Sequence, residues 1–375
     1  MMMRTSRYWV SALLGCVIAV ALISIAHADE PRKTKNIIFV MTDGFRWQEV
    51  FAGADKAILD FRLNKDQAQK LEETKKTYDR PTPEARREAV LPFFWNVIAK
   101  QGQVFGNQTK KSRVAVTNGL KFSYPGFSET VCGFADPRVD RNDLGPNPNV
   151  SVFEWLAKKP AFQGRVAAFG AWAAFDGIFN RERCGFCVNA DRHPLAPELR
   201  TPAIELLDRL KAEVPSPWGD EPYDALTYHS ALEYFKAKRP RVLFVALGET
   251  DVWAHGGDYN GYLTAAHRFD AYAKELWETA QAMPEYRGTT TLIVAADHGR
   301  GLGVLKWRDH GKKVIGAEDI WLGVVGPDTP ALGERSEIPD VHQSQIAATL
   351  AAILGEDYNA DVPKAGRPIA DVLKK

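Results

Sequence analysis

The chain has 375 residues, of which 45% are hydrophobic and 25% charged, so it can bury a large core and is neither disordered nor collagen-like. Its 48 basic and 47 acidic side chains leave a net charge of +1, which supplies no global field for holding nucleic acid duplex or an anionic membrane.

At the start, Arg4 and Arg7 precede an apolar run from Trp9 to Ile25 that closes on Ala26-His27-Ala28. This pattern predicts a secretory signal peptide over residues 1–28, with periplasmic or secreted destination. A retained membrane anchor is the competing reading, because the run approaches spanning length. If the signal is cleaved, no stable membrane insertion is expected. Leu13-Leu14-Gly15-Cys16 only faintly suggests a lipoprotein site, since the apolar run continues past Cys16. Beyond the leader lie Cys132, Cys184 and Cys187, and the short Cys184-Gly185-Phe186-Cys187 spacing predicts a loop staple in an oxidising compartment.

Short apolar runs then recur at Asn36 to Met41, Arg165 to Phe169, Arg241 to Leu247, Thr290 to Ala295 and Ile320 to Val325. They read as buried, largely parallel strands. Helical patterns separate them, at Asp66 to Thr77, Leu91 to Lys100, Val152 to Lys158, Pro202 to Val214, Tyr262 to Met283 and Gln343 to Leu354. Alternation of this kind predicts a three-layer α/β/α fold around a largely parallel sheet, forming one domain over residues 29–375. The stretch from about 176 to 223 breaks the rhythm and is expected to be a cap-like insertion.

Ligands in such sheets gather beyond the carboxyl ends of the strands. Three runs end there in acid: Thr42-Asp43-Gly44, Gly248-Glu249-Thr250-Asp251 and Ala296-Asp297-His298-Gly299. Asp251 and His255 stand four apart, so a helical turn would aim both at one ion. With His310, the set Asp43, Asp251, His255, Asp297, His298 and His310 provides six oxygen and nitrogen donors. That is enough for two divalent ions, Zn²⁺ before Mn²⁺ or another divalent metal.

These segments, together with Ile37 to Arg46, Ser123-Tyr124-Pro125 with Gly133 eight residues on, and His310-Gly311, resemble the alkaline phosphatase superfamily, near its nucleotide pyrophosphatase/phosphodiesterase and metal-dependent phosphatase branch. The resemblance spans Asn36 to about Gly355. It implies an alkaline phosphatase-like fold and hydrolysis of small-molecule phosphate mono- or diesters through a phosphoseryl intermediate. Asp43, Asp297 and His298 would hold one metal and Asp251, His255 and His310 the other. Ser123, preferred over Ser128 because only it stands two residues before a proline, would be nucleophile and metal ligand. His342 rivals His310. Of Asn142, Asn147 and Asn149, the one expected to assist catalysis is Asn147. Arg46 is expected to partner a nearby acid, and Phe169, Trp172, Phe175 and Phe179 to serve in packing. Sulfatase chemistry fits less well, because Gly126-Phe127 stands where sulfatases carry Ser-Arg. A phosphomutase, or a binding protein that retains its metals without turnover, would also suit this donor set.

Overall fold

The computed structural model describes residues 32–61, 65–219 and 221–373. The signal peptide expected over residues 1–28 lies outside the described residues. Eleven strands form, namely β1 (Asn36–Thr42), β2 (Gln103–Phe105), β3 (Val114–Ala115), β4 (Val166–Gly170), β5 (Cys187–Ala190), β6 (Val242–Leu247), β7 (Thr290–Ala296), β8 (Asp319–Ile320), β9 (Leu322–Val325), β10 (Gly333–Glu334) and β11 (Val341–His342). Eight of them make one sheet in the order β10-β2-β9-β7-β1-β6-β4-β5, and β11-β3-β8 make a second, small one.

The five strands from β7 to β5 are parallel, as the apolar runs predict. The last run departs from the expectation. It divides at Trp321: β8 joins the small sheet, and β9 pairs antiparallel with β7 and β2.

β1 shows why the sheet is buried on both faces. Ile38 and Val40 enter one core cluster while Ile37, Phe39 and Met41 enter the other, because side chains alternate along a strand. The first cluster packs beneath the helices Asp224–Lys238 and Tyr259–Ala282, and the second beneath Ser123–Cys132, Val152–Ala157 and Ile346–Ile353. The result is a three-layer α/β/α arrangement.

Several predicted helices keep their place with altered ends. Tyr259–Ala282 starts one turn earlier than its apolar pattern suggests, because the Asp258 side chain caps it by accepting from Gly261 N at 2.9 Å. The segment expected as a helix from Leu91 contains a π-helical turn at Phe94–Ile98. Residues 176–223 do not break the rhythm: β5 extends the sheet beside β4, and Pro202–Glu213 packs on Asp224–Lys238. Only the end of that stretch approaches the site described below. The cysteine staple is not formed either. Cys132, Cys184 and Cys187 are free thiols. Cys184 Sγ turns to the carbonyls of Arg181 and Phe186, at 3.6 and 3.5 Å, while Cys187 is held in register opposite Ala167.

Asp270 joins two helices. Its carboxylate accepts from Phe93 N at 2.7 Å and Phe94 N at 2.8 Å, satisfying first-turn donors that have no helical partner. Asp270→Ala should destabilise the protein by about 1–3 kcal/mol in urea unfolding, since it orphans both donors. Burial pushes the Asp270 carboxyl up to about 7, above its unfolded value of about 3.9. Stability conferred by its protonation is therefore full at low pH and lost as pH rises through about 7. The gap between wild type and variant should narrow over that rise.

Candidate metal centre

The register of the central strands brings the acids together. Thr42 lies opposite Leu247 in β6 and Ala296 in β7, so three neighbouring strands end at one level. Asp43, the turn at Gly248 and Asp297 therefore emerge side by side. After β6 the chain turns at once into the helix Glu249–His255, placing Asp251 and His255 on one face.

Two groups of donors result. In Asp43, Asp297 and His298, and in Asp251, His255 and His310, the ligand atoms of each group lie within 4.8 Å of one another. The groups abut, with His298 Nε2 4.0 Å from Asp251 Oδ1. His298 Nδ1 donates to Gly299 O at 2.8 Å, which turns the Nε2 lone pair toward Asp43 Oδ1, 3.1 Å away. His310 Nδ1 faces Lys121 O at 3.3 Å, and its Nε2 meets His255 Nε2 at 2.9 Å.

The residues fit divalent cations on three counts. Asp297 Oδ2 is buried without a hydrogen-bond partner and faces His298 Nε2 at 3.6 Å. Burial, followed by the neighbouring carboxylates, pushes the Asp43 and Asp297 carboxyls well above the usual range. Burial and the adjacent His298 depress His310 to about 2, so its ring is neutral and free to ligate.

Ser123 sits at the first position of the helix Ser123–Cys132, its Oγ 3.4 Å from both Asp43 Oδ1 and His298 Nε2. The local sequence accounts for this placement. Pro125 falls in the first turn, where a missing N–H costs nothing, and Gly133 closes the helix with φ +80° while its N–H donates to Glu129 O at 2.8 Å. Ser128 lies further along, buried and bonded to Asn147.

Asn147 is not at the site. Its Nδ2 donates to Ser128 Oγ at 2.9 Å and to Ile178 O at 3.3 Å, and its Oδ1 accepts from Asn149 N, so it ties its own loop to the helices that carry Ser128 and Ile178. Asn142 occupies the site instead. It lines a cavity of about 200 Å³ with Ser123, Trp172, Phe175, Glu221 and His310. Its Oδ1 accepts from Tyr124 N at 3.0 Å, leaving its amide donors uncommitted. His342 is exposed on the small sheet, away from both groups. Arg46 is fully buried and paired with Glu49.

Two residues escaped the sequence reading. Arg300 is buried, bonds Asp251, and donates to Trp307 O at 3.0 Å and Arg308 O at 2.6 Å. Burial alone would raise the Asp251 carboxyl, but Arg300 beside it, with His255 and His310, holds it well below the usual range. Its place directly after Asp297-His298-Gly299 was the available signal. Glu221 is the other. Burial, then Asp251, pushes its carboxyl up to about 7. Gly44 is required here, with φ +56° and Arg300 Nη1, Asp251 Oδ1 and His298 Cε1 only 2.5–2.9 Å from where a Cβ would sit.

A family model for type I phosphodiesterase/nucleotide pyrophosphatase matches residues 62–304. No curated protein sequence matches the chain. Among solved structures, the wild-type alkaline phosphatase PafA is similar at 10% identity and TM-score 0.57, covering 92% of this chain and 99% of its own. Murine ectonucleotide pyrophosphatase/phosphodiesterase 5, in complex with AMP, is similar at 11% identity and TM-score 0.51, over 91% of this chain and 100% of its own. A phosphonate monoester hydrolase from Silicibacter pomeroyi matches at 15% identity and TM-score 0.51, over 91% and 76%. At these identities the likeness to solved structures speaks for a shared fold, whereas the family match covers most of the chain and takes in Ser123, Asp251, His255, Asp297 and His298. The chain belongs to the type I phosphodiesterase/nucleotide pyrophosphatase family, has an alkaline phosphatase-like fold and is a hydrolase of phosphoric esters.

Proposed function

We propose that the protein is an exported, two-metal phosphodiester hydrolase that works through a phosphoseryl intermediate on Ser123. Asp43, Asp297, His298 and Ser123 hold one ion and Asp251, His255 and His310 the other, with Zn²⁺ the leading candidate for an Asp/His donor set. Divalent ions there lower the pKa of the serine hydroxyl and offset charge on the departing oxygen.

The observation that carries the diester reading is the lining of the phosphate-sized cavity. Among the described residues it contains no lysine or arginine, but it does contain Glu221. Arg300 is committed to Asp251 and two carbonyls. A monoester dianion would meet carboxylate without a compensating side-chain cation, whereas a diester carries one charge and needs room for a second substituent. That room exists. A cavity of about 640 Å³ shares His255 with the site, and another of about 620 Å³ shares Asn142 and Trp172.

Ser123 Oγ attacks phosphorus as its proton leaves, and the bond to the alcohol on the opposite side breaks, the departing oxygen taking a proton from water. Water then attacks the phosphoseryl group in line and frees the serine. The Asn142 amide, its oxygen already anchored by Tyr124 N, donates to a non-bridging oxygen as charge grows there. Trp172 and Phe175 wall off solvent on that side.

In the metal-loaded protein, aryl phosphodiesters should turn over faster than monoesters, and Ser123→Ala should lower kcat by roughly 10³-fold or more while metal content is retained. Loss of metal together with activity, or a strong monoester preference, refutes the assignment. Asn142→Ala should reduce kcat about 10²-fold with little change in stability, whereas Asn147→Ala should cost about 1–3 kcal/mol of stability, read by thermal and urea unfolding. Because its carboxyl is raised, Glu221 ionises as pH climbs, so rejection of monoester dianions is complete above its pKa and fades below it. The monoester to diester ratio of kcat/KM should therefore rise on acidification, and Glu221→Gln should reduce the rise to the part set by protonation of the monoester itself, whose second pKa is about 6.

A further inference from the structure

Of six large hydrophobic side chains exposed among the described residues, Leu302, Leu305 and Ile315 fall in one short stretch of chain, at 52%, 50% and 76% exposure. The stretch folds back on itself. A Cβ on Gly316 would lie 3.1 Å from Leu302 Cγ, and one on Gly301 would lie 2.8 Å from Val314 Cγ1, so its two ends form one surface. Lys306, Arg308, Lys312 and Lys313 are interleaved with these apolar groups, against Asp309 alone. Lys306 pairs with Asp309 at 2.8 Å. Lys312 and Lys313 are exposed and make no ion pair among the described residues.

Clustered apolar side chains ringed by unpaired lysines suit the boundary of an anionic bilayer, where hydrocarbon enters the acyl edge and ammonium groups meet headgroup phosphates. The same stretch carries His310, and its Val304, Trp307 and Arg308 line the 640 Å³ cavity that reaches His255. The surface thus runs directly into the site. Among the described residues no helix is long and apolar enough to cross a membrane.

We propose that the face formed by Leu302, Leu305, Ile315, Lys312 and Lys313 docks the protein onto anionic lipid bilayers, with the metal centre opening toward the headgroups. Docking goes beyond the phosphodiesterase reading and is measured without turnover, so each can fail alone.

The test is co-sedimentation of the mature protein with vesicles of phosphatidylcholine, with or without roughly 30% phosphatidylglycerol, at low and high salt. Wild type should bind the anionic vesicles, less so at high salt. Lys312→Glu with Lys313→Glu should weaken binding about tenfold or more, and Leu302→Ser with Leu305→Ser and Ile315→Ser should weaken it as strongly. Turnover of a soluble aryl phosphodiester should stay within about twofold of wild type in both variants, which also reports that they fold. Absence of wild-type binding, or binding unchanged in the variants, overturns the proposal. So does a wild type that self-associates without binding vesicles while the apolar variant is monomeric, which would make the face a contact between copies.

Discussion

Everything at the site depends on three parallel strands ending at the same level. Thr42, Leu247 and Ala296 are hydrogen-bonded neighbours, so the residues that follow them have only a few ångströms in which to diverge. Hydrogen-bond register, rather than any side-chain preference, concentrates Asp43, Asp251 and Asp297 at one point. Apolar strands flanking them on both faces remove the water that would otherwise screen their repulsion.

The fold answers that concentration of charge unevenly. Around Asp251 it places a buried arginine and two histidines, and the carboxylate is held ionised. Around Asp43 and Asp297 it provides Gly44 N, which donates to Asp297 Oδ1 at 2.9 Å, the Ser123 hydroxyl and the His298 ring, whose Nε2 lies 3.1 Å from Asp43 Oδ1, but among the described residues no arginine or lysine pairs with either carboxylate. Both carboxyls are raised in consequence. One half of the site is therefore largely compensated from within, and the other is the half that a bound cation would stabilise most. Arg300 has a second effect: by bonding the carbonyls of Trp307 and Arg308 it shapes the loop that delivers His310.

Much of this was legible in the sequence, because strand ends followed by acid are local signals and the spacing from Ser123 to Gly133 is the length of one capped helix. What escaped was set by loops and long-range pairing. Asn142 and Asn147 lie in one turn-rich segment, and only the folded path shows that the first faces the cavity while the second is used up on Ser128 and Ile178. β5 was hidden because its short run begins with a cysteine that suggested a staple. The direction of β9 cannot be read from an apolar run. Net charge is silent on local patches, and an overall value of +1 conceals the basic stretch between Leu302 and Ile315.

Gly126 has a mechanical consequence. Where its Cβ would stand, Asp297 O lies 2.5 Å away, so the helix that begins at Ser123 rests directly on the backbone of the strand end that carries two of the acid and imidazole donors. Gln343 Nε2 bonds that same carbonyl at 2.6 Å. The gap between Ser123 and its neighbours is accordingly gauged by main chain against main chain, a stiff spacer rather than an adjustable one. A single methyl group at position 126 would act as a shim, lifting Ser123 off Asp43 and His298 without changing the chemistry of any side chain that lines the site.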